Sequence, residues 1–445
     1  MMEEEMAVQA TACDKQDKKG QWLYIVEAAL EYFISLVIGG AYLAKVTAAI
    51  GMSQGLTVVL TAFVSLGFVF QAFALFLAGK RKVKRFVTLL HTINQVCFAV
   101  IYLIPLIDIP PIVKHIFFVV FLLAGHIISN LIGAPKLGWY MSFVKDSERG
   151  DFTAKKEICS LIGGMIFSYL ISFVIDYFEE AGQLNVAFAI SAVAIFLLTV
   201  WHTLTLWKTP EKELPVDTKV HNFKEAAKTV FSNKRVLKVL VCASLYYIVN
   251  NAVIASYGTY ITNKPENFGL GLSMTLVAVI SIMVSVTRAL VSRPMGKFAD
   301  KYSFKNSSIL CYSLLAVSLA VNVFATPKNG LVFYIIYSLI HAVSMAGINS
   351  TIINLLYEEV EPEQRMCAYA VQQSIAGAIG FVSAIFAGIF VDWVQTDPSG
   401  TLLGLYAQQW LSIFGVILSV AVVLFIIFCM KKKQPAEKTE EMTKE

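Results

Sequence analysis

The chain has 445 residues, 57% of them hydrophobic and only 15% charged, with a mean hydropathy of +0.67. A soluble globule carries about a quarter charged residues, so this composition excludes one and indicates an integral membrane protein. The net charge of +5 is small and its lysines and arginines are dispersed, which excludes a nucleic-acid-binding face.

Residues 1–21 begin acidic and hold no apolar core, so they are not a signal peptide and are expected to form a short unstructured tail. Twelve largely apolar segments follow, here spans 1 to 12: 22–48, 55–79, 86–106, 112–143, 158–177, 184–206, 238–262, 269–293, 307–325, 331–358, 367–392 and 404–430. Each reaches the roughly 20 residues that a helix needs to cross about 30 Å of hydrocarbon. The expected fold is all-α, with twelve transmembrane helices in two six-helix bundles, 22–206 and 238–430. Between the bundles lies the polar stretch 207–237, and 431–445 is a charged tail whose Lys431, Lys432 and Lys433 hold span 12 at the surface.

Lysines and arginines fall in alternate connections: Lys80 to Arg85 after span 2, Lys145 and Arg149 after span 4, the linker, and Arg293 to Lys305 after span 8. The other connections carry Asp108, Asp176, Glu179, Glu180, Glu266, Asp392 and Asp397. This bias places the linker and both termini in the cytoplasm, and the protein in the cytoplasmic membrane. The seven cysteines form no C-x-x-C pair and no cluster with histidine, so no metal or other cofactor is expected. No P-loop, HExxH, G-x-S-x-G or dinucleotide fingerprint is present, which argues against an enzyme or an ATP-driven pump.

Ionisable groups inside apolar spans mark function by default, because lipid penalises them. Glu27 and Glu31 are one turn apart on span 1 and share a face. Lys136 lies at a similar depth, roughly 10 Å, on span 4. A carboxylate and an ammonium at one depth relieve each other's desolvation, and protonating the carboxylate weakens the pair, so the three are proton-coupling candidates. Candidates for substrate contact are His126 and Asn130 on span 4, Tyr246, Asn250 and Asn251 on span 7, and Asn349 and Asn354 on span 10. Gly163, Gly164, Gly377 and Gly380 are expected to let spans 5 and 11 approach closely where the two halves meet.

The halves repeat weakly at a separation of about 216 residues, which pairs Leu30 and Tyr32 with Leu245 and Tyr247, and Arg149, Ala154 and Gly164 with Arg365, Ala370 and Gly380. After span 8 the run Gly296-Lys297-Phe298-Ala299-Asp300-Lys301-Tyr302-Ser303-Phe304-Lys305 is similar to the G-x-x-x-D-[RK]-x-G-[RK]-[RK] loop of the major facilitator superfamily, with Ser303 where glycine is usual. The counterpart after span 2, AGKRKVKRF, keeps Gly79 and the basic residues but lacks the aspartate. With its six-plus-six plan, the chain resembles that family over nearly its full length. The resemblance implies alternating access by two rocking halves, with Gly296, Asp300 and Arg365 as a conformational switch in which Asp300 meets the start of span 11. It also implies that spans 1 and 4 line the cavity. Span 5 lacks the G-P-x-x-G-G ending of the family's drug/proton antiporters, and span 4 lacks their arginine.

The function expected is secondary transport of a small solute, by proton-linked symport or facilitated uptake. A drug or metabolite efflux antiporter, and a non-transporting receptor-like protein of the same fold, remain the alternatives. The partners expected are the solute, the lipid bilayer and, if Glu31 titrates, protons. The chain is expected to act as a monomer.

Overall fold

The computed structural model describes residues 2–71, 82–145, 148–212, 223–361 and 364–430; for 2–14, 150, 223–226, 229, 349 and 366 the description is of the backbone alone. Gly79, Lys80 and Arg81, the middle of the linker and the 431–445 tail lie outside the described residues. All twelve expected spans are mainly helical where described, span 8 from Met274 and span 12 from Ala407. Among the described residues ten helices are long and apolar enough to cross a membrane, and the bent pair Lys15–Val37 and Gly40–Ala49 makes an eleventh if it is one span. The shorter apolar stretch Gln54–Val69 falls in span 2.

Three differences from the expected elements have local causes. Residues expected to be an unstructured tail continue span 1 as helix, which runs Met2–Val37 and restarts as Gly40–Ala49. The break, a 49° bend, falls where Gly40 adopts φ +52, a conformation that glycine takes without steric cost. Span 7 breaks at the equivalent place: Lys234–Ile248 widens into a π turn over Val249–Val253, then a 3-10 turn Ile254–Ser256, before Tyr257–Thr262. Between spans 11 and 12 the chain also forms a two-stranded hairpin, Thr401–Leu402 with Leu405–Tyr406, turned by Leu403 and Gly404 at φ +52 and +80.

Packing repeats between the halves. Span 3 (Lys84–Leu103) packs on spans 4 (Pro111–Met141) and 6 (Leu184–Lys208), as span 9 (Phe304–Asn322) packs on spans 10 (Gly330–Tyr357) and 12 (Ala407–Cys429). The halves meet where span 2 packs on span 11 (Arg365–Val394) and span 5 (Arg149–Glu180) on span 8 (Met274–Tyr302). Gly377 serves that contact, since a Cβ there would lie 2.5 Å from the Ser65 carbonyl of the other half. Gly163, Gly164 and Gly380 do not: they face Phe33, Tyr32 and Tyr247, within their own halves. Cross-half hydrogen bonds gather on the side away from the linker, the distal side, where one large apolar core draws Ile38, Met52 and Ile104 together with Tyr260, Leu270 and Met274.

Candidate functional site: a sealed ion cluster against a cavity

The i, i+4 spacing of Glu27 and Glu31 puts both carboxylates on the side of span 1 that faces spans 3, 4 and 6. Lys136 enters from span 4 and donates to Glu27 Oε1 at 3.0 Å and to Glu31 Oε2. Its third partner is His91 of span 3, with Nε2 at 3.0 Å. The same His91 Nε2 stands 3.2 Å from Glu31 Oε1, so it can accept from Lys136 or, when it carries a proton, donate to Glu31. His91 Nδ1 faces the Gln95 amide Nε2 at 3.4 Å, a donor from which it can accept. His202 of span 6 donates from Nε2 to Glu27 Oε1 at 3.1 Å, and its ring packs edge-on against His91 with centroids 4.4 Å apart.

With both imidazoles neutral, the five groups sum to one negative charge: two carboxylates against one ammonium. One added proton makes the set neutral. Net charge is expensive to bury, and a group that can gain a proton relieves that cost. Two buried atoms of the set have no partner among the described residues, Glu27 Oε2 and His202 Nδ1.

Access to the cluster is one-sided. Toward the linker, Tyr24 stacks on Tyr140 at 4.2 Å and Trp139 donates to the Pro210 carbonyl at 3.0 Å, and with Phe143 they make an apolar plug. Glu27 is fully buried behind it, whereas the Glu31 side chain is 31% exposed. Glu31 opens onto a cavity of about 280 Å³. Its wall is mostly apolar, with Ile38, Leu43, Leu60, Val64, Phe68 and Phe98, and carries the amides of Asn94, Gln95 and Asn130, the hydroxyls of Ser35, Thr61 and Ser129, and His126.

Glu27, His91 and His202 each offer a ligand atom, all within 4.8 Å of one another, a set of types that transition metals accept. No spacing in the sequence foreshadows it. The Lys136 ammonium already stands 3.0 Å from two of those atoms, so the positive charge at this point comes from the chain itself.

A model of the Major Facilitator Superfamily matches residues 263–445. In structure the chain is similar to a mutant of the nucleoside transporter NupG, with a TM-score of 0.72 at 14% identity, over 93% of this chain and 100% of that one. It is also similar to a D-xylose-proton symporter (TM-score 0.63, 16% identity, 92% and 96% covered). A third is a bacterial homologue of the human lysosomal transporter Spinster, solved inward-facing and unoccupied (0.61, 13%, 93% and 95%). No curated protein matches the sequence. The chain thus has the fold of these transporters, and its residues 263–445 match the family model.

The cavity against the cluster is the candidate place for solute contacts. Of the residues singled out in the sequence, Glu27, Glu31 and Lys136 meet in the cluster, and His126 and Asn130 reach the cavity wall. The C-terminal candidates do not line it. Tyr246 is buried, its hydroxyl 3.2 Å from Met345 Sδ. Asn251 accepts from Ser65 Oγ at 2.9 Å across the halves and donates to the Tyr247 carbonyl freed in the π turn. Asn250 and Asn354 are half-buried elsewhere, and the side chain of Asn349 lies outside the described part.

The expected switch differs as well. Gly296 to Tyr302 are not a loop but the last turns of span 8, which ends only at Tyr302. Ser303, in place of the family's glycine, adopts φ +109, and its side chain caps span 9 by accepting from Asn306 N at 3.4 Å. Asp300 is exposed and pairs with no described residue, Arg365 included; the Arg365 guanidinium lies 5.4 Å from the centre of the Tyr357 ring. A Cβ on Gly296 would meet nothing.

Proposed function

We propose that this chain is a secondary transporter of the major facilitator type that carries a small polar solute in symport with a proton, and that Glu31 links the two. The observation that carries this reading is the division of roles along span 1: Glu27 sealed in the ion cluster, Glu31 shared between that cluster and the cavity. A solute in the cavity competes for the Glu31 carboxylate, and protonating the cluster releases Glu31 from Lys136. Each event favours the other, which is thermodynamic linkage between two sites. A mostly apolar wall with a few amides and hydroxyls suits a small solute that makes a limited number of hydrogen bonds, and the cavity volume holds one of that size.

The same reading places the linker side in the cytoplasm, from the lysine and arginine bias, and the protein in the cytoplasmic membrane as a monomer. In a conformation closed on the distal side, Asp300 stands free. It meets the start of span 11, near Arg365, when the linker side closes instead.

Glu31→Gln tests the coupling in proteoliposomes with an imposed proton gradient. It mimics the protonated state, so accumulation against a gradient should be lost while exchange of solute between loaded states persists. Accumulation equal to that of the unaltered protein would remove Glu31 from the coupling and leave facilitated diffusion or another coupling group.

A further inference from the structure

Asp176 near the distal end of span 5 and Asp392 near that of span 11 are 216 positions apart, the spacing at which the halves repeat. Each reaches into the opposite half and binds the start of a helix. Asp176 accepts from Met274 N at 2.8 Å through Oδ1 and from Thr275 N at 2.6 Å through Oδ2. Asp392 accepts from Gly55 N at 2.8 Å through Oδ1 and from Ser53 Oγ at 2.7 Å through Oδ2. The two receiving helices begin alike: Ser273 and Ser53 are their N-caps, each accepting from the amide three residues on, at 3.2 and 3.1 Å. Thr275 and Gly55 hold the same place, second in the helix.

The first amides of a helix have no intrahelical partner and carry the positive end of its dipole. A carboxylate that accepts from them makes charge-assisted bonds, stronger than neutral ones. The approach is close by design of the small residues: a Cβ on Gly388 would lie 2.5 Å from the Gly55 carbonyl, and one on Gly55 would collide with Gly388 and Asp392. Neither carboxylate keeps these bonds once the distal ends of the halves separate.

We propose that Asp176 and Asp392 form a twin latch that holds the distal side closed, and that both release before the cavity opens to that side. The proposal rests on the rocking of two halves, and not on proton coupling. Its test is the distance between spin labels on cysteines introduced at Gln183 and Lys328, exposed positions on the distal side of each half, in full-length protein otherwise free of cysteine and held in nanodiscs. Asp176→Asn and Asp392→Asn should each raise the share of the longer, open distance by about two- to five-fold, as loss of an ordinary carboxylate–helix interaction predicts, and the double variant more. Asp397→Asn, an exposed distal acid bonded to Ser399 in its own loop, should leave the distribution unchanged. Thr275→Pro removes a latch donor that the helix itself does not use, and carries the test if either aspartate variant fails to fold. Distributions that match the unaltered protein in the folded variants would overturn the latch. Because the readout needs no transport, that result would leave the role of Glu31 standing.

Discussion

Glu31 is where the solute cavity and the ion cluster share a wall, and its partners decide how it responds to protons. Lys136 supplies the only fixed positive charge among the five clustered groups. Removing it leaves two carboxylates facing each other with only imidazoles to neutralise them, so the set holds a proton more strongly. Lys136→Ala is therefore expected to move the pH at which uptake falls off upward, read as a shifted pH profile in proteoliposomes. Breaking a buried pair also costs about 3–5 kcal/mol, so the variant should melt at a lower temperature. Glu27, Glu31 and Lys136 were legible because charges inside apolar spans are conspicuous. His91 and His202 were not, since a histidine near a span end reads as an interface residue. The signal that would have found them is depth: His91 lies seven residues into span 3 and His202 six from the end of span 6, roughly 10 Å in, level with Lys136.

At the scale of elements, hydropathy located every span because lipid demands a continuous helix with its backbone satisfied. It says little about where a helix bends. The break in span 1 depends on a single glycine at positive φ, and the π turn of span 7 on Asn251 satisfying a carbonyl that the turn frees. The same turn holds Asn250 and Asn251, read from the sequence as candidates for substrate contact, and Asn251 is engaged by Ser65 and the Tyr247 carbonyl. The motif after span 8 read as a loop because of its charges, yet lysine and aspartate are compatible with a solvated final turn of helix. Only Ser303 ends it, in a conformation that costs a non-glycine residue about 1–3 kcal/mol. Asp176 and Asp392 counted in the sequence merely as acidic connections; their cross-half role needs the fold, since each partner lies about 100 or 340 residues away.

Across the whole molecule, the 216-residue repeat becomes two bundles with matching internal packing and matching distal contacts. The lysine and arginine bias then predicts sidedness. A membrane-impermeant thiol reagent on intact cells should modify cysteines placed at Asn267 or Pro398 and spare one at Glu211, and the reverse pattern would invert the topology. All three positions are exposed.

The ion cluster has one more consequence, because all five of its groups belong to the first bundle. On the proposed coupling, the proton rides on one moving body and does not bridge two. With both imidazoles neutral, the cluster on that body adds no net charge when it holds the proton and one negative charge when it does not. Reorienting the empty, unprotonated carrier therefore moves charge through the membrane field, at about 2.3 kcal/mol per elementary charge per 100 mV for full transit, whereas the protonated carrier moves none with an uncharged solute. An interior-negative voltage should accelerate the outward return of the empty carrier and leave the loaded step unchanged. Solute uptake into vesicles should then rise with an imposed potassium diffusion potential, while exchange between two loaded populations stays flat.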